Sequence, residues 1–206
     1  MIPLKTKGIV FNYVNCKKSY SDYVSNLRSA VRGLWSKVLT EGEFITTFSD
    51  ILDFRLREAY KNIAEIYGID EEEFTQDEQD WIDNFIIEQI NLTGSFIDAI
   101  LENQKPKGKL SPLLDRVELW ANLYNRVESI ARTFFADNQK LIWNVTKNKV
   151  HCRHCGKLKG YIKRASQWKD YPLEPQSPRL ACKGIKCGCS LDETNLPLSR
   201  GPLPKP

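Results

Sequence analysis

The sequence predicts a mainly α-helical protein with a small cysteine-rich region of short β-strands in its C-terminal part. Three observations lead to this fold class. Apolar residues recur every three or four positions through most of residues 1–140, as the buried face of a helix requires. That spacing ends near Lys140, where apolar and polar residues begin to alternate. Five of the six cysteines follow this change of pattern, so the two parts of the chain differ in architecture.

Residues 1–140 are predicted to form about four helices. The apolar stripes that predict them run over residues 20–38, 44–67, 81–100 and 113–134. Each stripe has the width of one face of an amphipathic helix. We therefore expect the four stripes to pack into a common core.

Local signals predict where some of these helices begin, bend or end. Gly68 follows the second stripe, at a position where a left-handed residue commonly ends a helix. Thr75 and Glu78 have the spacing of a capping box, which would begin the third helix. Gly94 lies inside the third stripe and costs roughly 1 kcal/mol relative to Ala, so we expect a bend there.

A polar break near residues 104–112 separates the third helix from the fourth. Ser111 is predicted to cap the fourth helix, because its hydroxyl can accept a hydrogen bond from a free backbone amide. Pro112 then takes the first helical position, where no amide donor is needed.

These patterns divide the chain into three parts. We expect a helical domain over residues 1–140, a Cys-rich domain over residues 141–195, and an extended Pro-rich tail of polyproline type over residues 196–206. The Cys-rich domain begins with a short strand, in which Leu141 and Trp143 alternate with their neighbours in apolar character.

The composition predicts a soluble protein. Of the 206 residues 41% are hydrophobic, which is enough for a core. No run approaches the ~20 apolar residues that span a bilayer, and the first residues lack the apolar segment of a secretory signal. We therefore expect a protein made in the cytosol without membrane contact. Its cysteines would be reduced there, which favours metal binding over disulfides.

The cysteine spacing predicts a structural zinc site. Cys152 and Cys155 form a Cys-x-x-Cys pair, whose turn can direct two sulfurs at one tetrahedral ion. A second cluster, Cys182-x4-Cys187-x-Cys189, follows downstream among glycines. Two such half-sites are typical of a zinc ribbon or knuckle. The α/β unit that usually carries a redox Cys-x-x-Cys is not visible in the sequence.

Five cysteines compete for four ligand positions. The ligands that we predict are Cys152, Cys155, Cys182 and Cys187. The wide spacing between the last two passes through Gly184 and can close without strain. Cys187 and Cys189 would point to opposite faces of an extended segment, so Cys189 is the reserve ligand in place of Cys182 or Cys187.

The histidines do not indicate catalysis. His151 and His154 flank the first cysteine pair and could replace a cysteine, but we predict that they surround the metal without binding it. They are the two histidines of the chain, and no Ser/His/acid set, Gly-rich phosphate loop or deaminase motif accompanies them. We therefore do not expect an enzyme.

Basic residues are concentrated near the predicted metal. Residues 141–206 carry 13 Lys and Arg against 4 Asp and Glu, whereas residues 1–140 carry 17 against 22. Four thiolates and one Zn²⁺ have a net charge of −2, which offsets part of the positive excess. The remainder favours a phosphate-rich or acidic partner. The candidate contacts to nucleic acid are Lys157, Lys159, Lys163, Arg164, Lys169, Lys183 and Lys186, with Tyr161 and Trp168 as stacking groups.

A distinctive order of residues marks the C-terminal half. It consists of Trp143, Cys152-Arg-His-Cys155, Leu158-x-Gly160, Trp168, a Pro-rich stretch to Pro178, and Cys187-x-Cys189. This order resembles the C-terminal signature of tailed-bacteriophage minor head proteins of the Mu type, also called head morphogenesis proteins. The resemblance extends over residues 113–202, and its upstream part is the segment Glu118-Leu-Trp120-Ala-Asn122-x-Tyr124.

The resemblance implies a structural, low-copy protein of the phage head. Such a protein associates with portal or capsid proteins during assembly, so its expected location is the virion and, before that, the host cytoplasm. Many members have a His shortly before the final Cys-x-Cys, whereas this chain has Cys182 five residues before Cys187. That departure favours Cys182 as a ligand. The alternative function is a nucleic-acid-binding zinc-ribbon protein that contacts DNA non-specifically through its basic C-terminal region.

Overall fold

We describe the fold from a computed structural model of the chain. The structure describes residues 5–105, 108–146, 151–184 and 187–205, with side chains from Lys18 onward. The predicted fold class is confirmed, since helices dominate and a small antiparallel sheet lies in the C-terminal part. Among the described residues, no helix combines the length and the apolarity that crossing a membrane requires.

Five helices and a short 3-10 turn make up the N-terminal part. They are α1 (Lys5–Trp35), α2 (Glu41–Ile66), the 3-10 turn (Glu71–Glu73), α3 (Gln76–Asn91), α4 (Thr93–Asn103) and α5 (Ser111–Phe135). The single predicted third helix is thus two helices, which separate at Leu92 rather than bending at Gly94.

The helix ends follow the local signals closely. Gly68 has a φ of +74°, the left-handed conformation that favours glycine after a helix. The hydroxyl of Thr75 accepts from the amide of Glu78, and the Glu78 carboxylate accepts from the amide of Thr75. Helix α5 begins one residue earlier than predicted, because Ser111 is its first residue and Leu110 precedes it as the cap.

The helices share one apolar core. Helix α2 packs against α1 and α5, and aromatic rings fill the space between them. The ring of Phe48 meets that of Trp120 edge-on at 5.4 Å, and Phe96 lies 4.7 Å from Trp120. The buried hydroxyl of Tyr23 donates to the Trp120 carbonyl at 2.8 Å, so this polar group is satisfied inside the core.

A three-stranded antiparallel sheet organises the C-terminal part. Its elements are β1 (Lys140–Asn144), α6 (Arg153–Leu158), β2 (Ile162–Arg164), α7 (Ala165–Lys169) and β3 (Ser190–Glu193). The strand order is β2-β1-β3, with β1 in the centre. Leu141 and Trp143 of β1 are fully buried, as their alternation predicts. Below, residues 136–205 are called the Cys-rich region and residues 18–135 the helical region.

Helix α5 joins the two regions. The Asn122 amide donates to the Gly184 carbonyl at 3.1 Å, and Arg126 pairs with Glu174 at 2.9 Å. The Ser129 hydroxyl accepts from the backbone amide of Leu191. The loop that carries Cys182 and the third strand are therefore held against the same helix.

The Pro-rich tail lies against the edge of β2. The amide of Ser199 donates to the carbonyl of Ile162, and the amide of Ile162 donates to the Ser199 hydroxyl. The buried ammonium of Lys163 donates to the carbonyls of Ser199 and Gly201 at 2.9 and 2.5 Å. Farther along, the Tyr171 hydroxyl donates to a proline carbonyl of the tail at 2.6 Å. The tail is thus bound by its own chain, a contact that sequence reasoning did not predict.

Candidate metal centre

The first cysteine pair lies at the start of α6. Cys152 is the residue before the helix, and its sulfur accepts from the backbone amide of Cys155 at 3.5 Å. The two sulfurs are 3.4 Å apart. Cys155 is buried and Cys152 is partly exposed. The short helical turn therefore directs both sulfurs to one side, as the Cys-x-x-Cys spacing predicts.

Cys182 reaches this pair through a tight loop. Its sulfur and those of Cys152 and Cys155 all lie within 4.8 Å of one another. Gly184 makes the loop possible, because its φ is +74° and a Cβ there would lie 2.4 Å from the carbonyl oxygen of Gln176. The backbone of Gly184 therefore has the left-handed conformation that a tight turn after Cys182 needs, as the sequence predicts.

Cys187 and Cys189 do not point apart. Their sulfurs are 2.7 Å from each other, so the prediction of opposite faces is wrong. The described part of this segment is irregular until β3 begins at Ser190, and the alternation of an extended strand does not apply to it. Cys189 is also more buried than Cys187 and lies 3.3 Å from Cys155. The predicted reserve ligand is therefore inside the cluster.

All five described cysteines converge on Cys155 as free thiols. The sulfur of Cys155 lies within 3.9 Å of that of Cys187 and belongs to both of the three-cysteine groups that could hold an ion. Sulfurs around a tetrahedral Zn²⁺ are about 3.8 Å apart, given a Zn–S distance of about 2.3 Å. The sulfurs of Cys152, Cys187 and Cys189 lie 3.4, 3.9 and 3.3 Å from that of Cys155, at or somewhat below this value, whereas the 2.7 Å between Cys187 and Cys189 is well below it. The cysteine cluster can therefore hold a single metal ion.

The thiols divide into two whose pKa is lowered and three whose pKa is raised. Hydrogen bonds from Cys155 and Cys189 lower the pKa of Cys187 to about 2. Burial raises the pKa of Cys152, but hydrogen bonds from Cys155 and Cys182 outweigh it and leave that pKa below its ordinary value. A divalent cation would favour the ionised form of each sulfur that it binds.

The other three thiols are weak acids. The pKa of Cys155 is raised far above the ordinary range. Its hydrogen bonds to Cys187 and Cys189 are the largest causes, and burial adds to them. Burial raises the pKa of Cys182 to about 12. A hydrogen bond from Cys155 lowers the pKa of Cys189, but the hydrogen bond to Cys187 and burial together raise it to about 12. A metal that binds these sulfurs must displace their protons.

His154 positions the second half of the cluster. It is 8% exposed, and its Nδ1 accepts from the backbone amide of Ala181 at 3.1 Å. Since that amide immediately precedes Cys182, His154 joins α6 to the loop that supplies the third sulfur. No three-residue group with metal-ligand spacing among the described residues includes His151 or His154.

Gln176 is a supporting residue that the sequence analysis missed. Its side-chain amide donates to the Cys189 carbonyl at 3.1 Å, and its carbonyl oxygen faces Gly184. The residue has a φ of +60°, which is unusual for a side chain other than Gly or Asn. Its position within Pro175-Gln-Ser-Pro178 signals a turn, but nothing local indicates a contact with cysteines.

The basic surface is smaller than predicted. Lys163 is buried and bound to the tail, and Trp168 is 2% exposed with its indole donating to the Leu141 carbonyl. Trp168 cannot stack on a base, so that part of the prediction is wrong. Lys186 lies outside the described residues. The exposed cations around the centre are Arg153, Lys157, Lys159 and Lys183, which we call the basic rim.

No known protein family, curated protein or solved structure matches this chain. The resemblance to phage minor head proteins therefore depends on the signature residues of the sequence alone.

Proposed function

We propose that this chain is a structural protein whose Cys-rich region is held together by one Zn²⁺ ion. The observation that carries the proposal is the convergence of five cysteine sulfurs, from three separate segments, around Cys155. All-sulfur tetrahedral sites are typical of structural zinc. A catalytic zinc needs a position for water and a nearby acid or base. Among the described residues no Asp, Glu or His belongs to either cysteine group.

The ligand set that we propose is Cys152, Cys155, Cys182 and Cys187, with Cys189 as the reserve. Cys155 is required in every arrangement, because it belongs to both groups of sulfurs. Cys189 would take the place of Cys182 or Cys187, since its sulfur lies 3.3 Å from that of Cys155 and 2.7 Å from that of Cys187. One of these three is then a fifth thiol beside a four-sulfur site.

Metal analysis tests the site and its ligands together. We expect the purified protein to contain one zinc per chain by mass spectrometry, and cobalt-loaded protein to show the absorption of four thiolate ligands. Cys155→Ser should lose the metal. Either Cys182→Ser or Cys189→Ser should retain it, because four sulfurs remain. Protein without stoichiometric metal, prepared under reducing conditions, would end the proposal.

We further propose that the protein is a minor head protein of a tailed phage, associated with portal or capsid. The support is the signature, whose residues form one packed unit in this chain. The rings of Trp143 and Trp168 are 5.7 Å apart, Leu158 is buried beside Cys155, and the amide of Gly160 donates to the Trp143 carbonyl. A signature that maintains a fold is what a structural virion protein requires.

Particle composition tests the virion proposal. The chain is co-expressed with the portal and capsid proteins encoded near its gene, and purified heads are analysed by quantitative mass spectrometry. We expect the chain in heads at far fewer copies than the capsid protein. Heads that assemble normally and contain none of it would contradict the proposal, whether or not zinc is bound.

A second candidate is non-specific binding of nucleic acid by the basic rim. Its four cations are exposed, and within the described part of the chain none is paired with a carboxylate. Binding through phosphates would weaken steeply with salt. A gel-shift titration of duplex DNA at low salt, repeated with Lys157→Ala and Lys159→Ala together, tests it. No shift by the intact protein would remove this candidate.

A further inference from the structure

Two large apolar side chains are exposed side by side on the helical region. Phe54 of α2 is 61% exposed and Ile87 of α3 is 56% exposed. Arg57 pairs with Asp83 at 2.6 Å, which joins the two helices. Helices α2 and α3 run antiparallel. Phe54 lies one turn before Arg57 on α2, and Ile87 lies one turn after Asp83 on α3, so the two side chains are on the same side of the ion pair. They form the centre of a surface that we call the α2–α3 face.

The direction of the helices follows from two contacts. Tyr60 stacks on Trp81 at 5.7 Å, and Arg57 meets Asp83 farther along. Moving back along α2 therefore corresponds to moving forward along α3, as in an antiparallel pair. Phe54 and Ile87 are the next exposed apolar positions in that direction.

The surroundings of this apolar pair are strongly acidic. Residues 62–104 contain twelve Asp and Glu and no Lys or Arg. Asp50, Asp80 and Glu88 are exposed beside the pair. Two cations lie near the pair. The Arg55 guanidinium is 5.2 Å from the centre of the Phe54 ring and pairs with Glu58, and Arg57 is shared between Asp53 and Asp83, so both are already paired with carboxylates. An apolar centre with an acidic surround favours a partner that is basic.

The chain itself carries such a surface. The basic rim has four exposed cations, and none forms an ion pair within the described part of the chain. Arg153 and Lys157 are one turn apart on α6 and so share a face. Lys183 follows Cys182, whose sulfur is near that of Cys152. The rim therefore presents exposed cations from two segments that meet at the cysteines.

We propose that the α2–α3 face of one copy binds the basic rim of a second copy. Contact between two α2–α3 faces is disfavoured, because it would bring like charges together. An interface between two different surfaces is head-to-tail, and it repeats from copy to copy to give rings or open arrays. The rim lies on the segments that carry the cysteines, so the proposal requires a folded Cys-rich region but no particular ion.

Charge reversal tests the pairing directly. Sedimentation velocity is measured on nuclease-treated protein at low salt, over about 1 to 100 μM. We expect the average mass to rise with concentration, and the rise to disappear in about 0.5 M salt. Asp50→Lys with Glu88→Lys should abolish association, and so should Lys157→Glu with Lys159→Glu. The side chains that are reversed form no hydrogen bond or ion pair among the contacts of the described residues, so each variant should fold.

Mixing the two reversed proteins is the decisive step. Each alone presents two surfaces of the same sign, whereas together they again present opposite signs. We expect association to return in the mixture. Circular dichroism and zinc content, unchanged from the intact protein, serve as controls for folding. A mixture that remains monomeric while the intact protein associates would overturn the proposal.

The apolar centre has a matched control. Phe54→Ser with Ile87→Ser should weaken association by at least about tenfold, because the interface then buries less apolar surface. Ile45→Ser should have no effect, since Ile45 is 47% exposed but lies half a turn around α2 from Phe54. Intact protein that is monomeric throughout, or that forms a dimer insensitive to both charge reversals, would also overturn the proposal.

Discussion

Among the described residues, the helical region has 27 buried apolar residues in one cluster, whereas the Cys-rich region has 11, of which two are cysteines. The first region is thus stabilised by area removed from water, which scales with its size. The second has about seventy residues and three short strands, and a core of that size rarely suffices alone. The metal that we propose would supply the cross-links that this small core lacks.

Metal removal should separate the two regions most clearly. With a strong chelator under reducing conditions, we expect backbone amides of residues 140–199 to lose protection from hydrogen exchange. Amides in α2 and α5 should keep theirs, because their core contains no ligand. The reason is that structural zinc contributes about 10 kcal/mol or more of folding free energy in small domains. Equal protection with and without chelator would break the comparison.

A cavity in the helical core should destabilise the helical region and leave the metal centre intact, the reverse of metal removal. Phe48→Ala removes a fully buried ring that packs between Phe96 and Trp120. We expect it to lower the free energy of unfolding by about 3–5 kcal/mol in urea denaturation. Zinc content should stay at one per chain, since the ring lies in the other cluster. Loss of zinc on this substitution would mean that the two regions fold as one unit.

Lys163→Met should release the tail from the edge of β2. The substitution leaves two carbonyl acceptors without their donor, and we expect a cost of about 1–3 kcal/mol. Limited proteolysis between Leu196 and Lys205 measures the release. Lys157→Met is the control, because Lys157 is exposed. Equal cleavage of the two variants would show that the ammonium does not hold the tail.

Zinc affinity should fall as the pH is lowered, while the helical region is unaffected. The pKa values of Cys182 and Cys189 are raised to about 12, so whichever of the two binds the metal holds a proton at neutral pH that the metal must displace. A lower pH raises the concentration of protons, which compete with the metal for the sulfurs. We expect affinity to drop at least about tenfold per pH unit between pH 8 and 6, in competition with a zinc-binding dye. A pH-independent affinity would indicate ligands other than these thiols.

The smallest expected effect concerns the start of α3. Thr75→Ala removes one side of the capping box, and we expect the free energy of unfolding to fall by about 1 kcal/mol. Thr46→Ala is a control on α2, where the hydroxyl bonds to a carbonyl within the helix. A larger loss at Thr46 than at Thr75 would contradict the capping argument.

What the sequence could predict was local. The left-handed Gly68, the capping box at Thr75 and the apolar stripes depend on neighbours within a few residues, and the structure has them as predicted. The Cys-x-x-Cys geometry is local in the same sense. Each of these features follows from the spacing of residues along one element.

What the sequence could not predict depends on distant contacts. Trp168 is buried because β1 supplies a carbonyl for its indole, and Cys189 turns inward beside Gln176. The tail docks because a lysine in β2 has no other acceptor at hand in its described surroundings. The choice among five cysteines is also non-local, since it depends on how three segments meet at Cys155.

The strand order has a consequence for synthesis of the chain. The central strand β1 is made first, and its neighbours follow about twenty and fifty residues later. At about 5–20 residues per second, β1 waits several seconds for its second neighbour. During that interval Leu141 and Trp143 have no sheet to cover them, and the metal cannot yet be enclosed. A ribosome-bound chain halted before Cys187 should therefore engage chaperones through these two side chains.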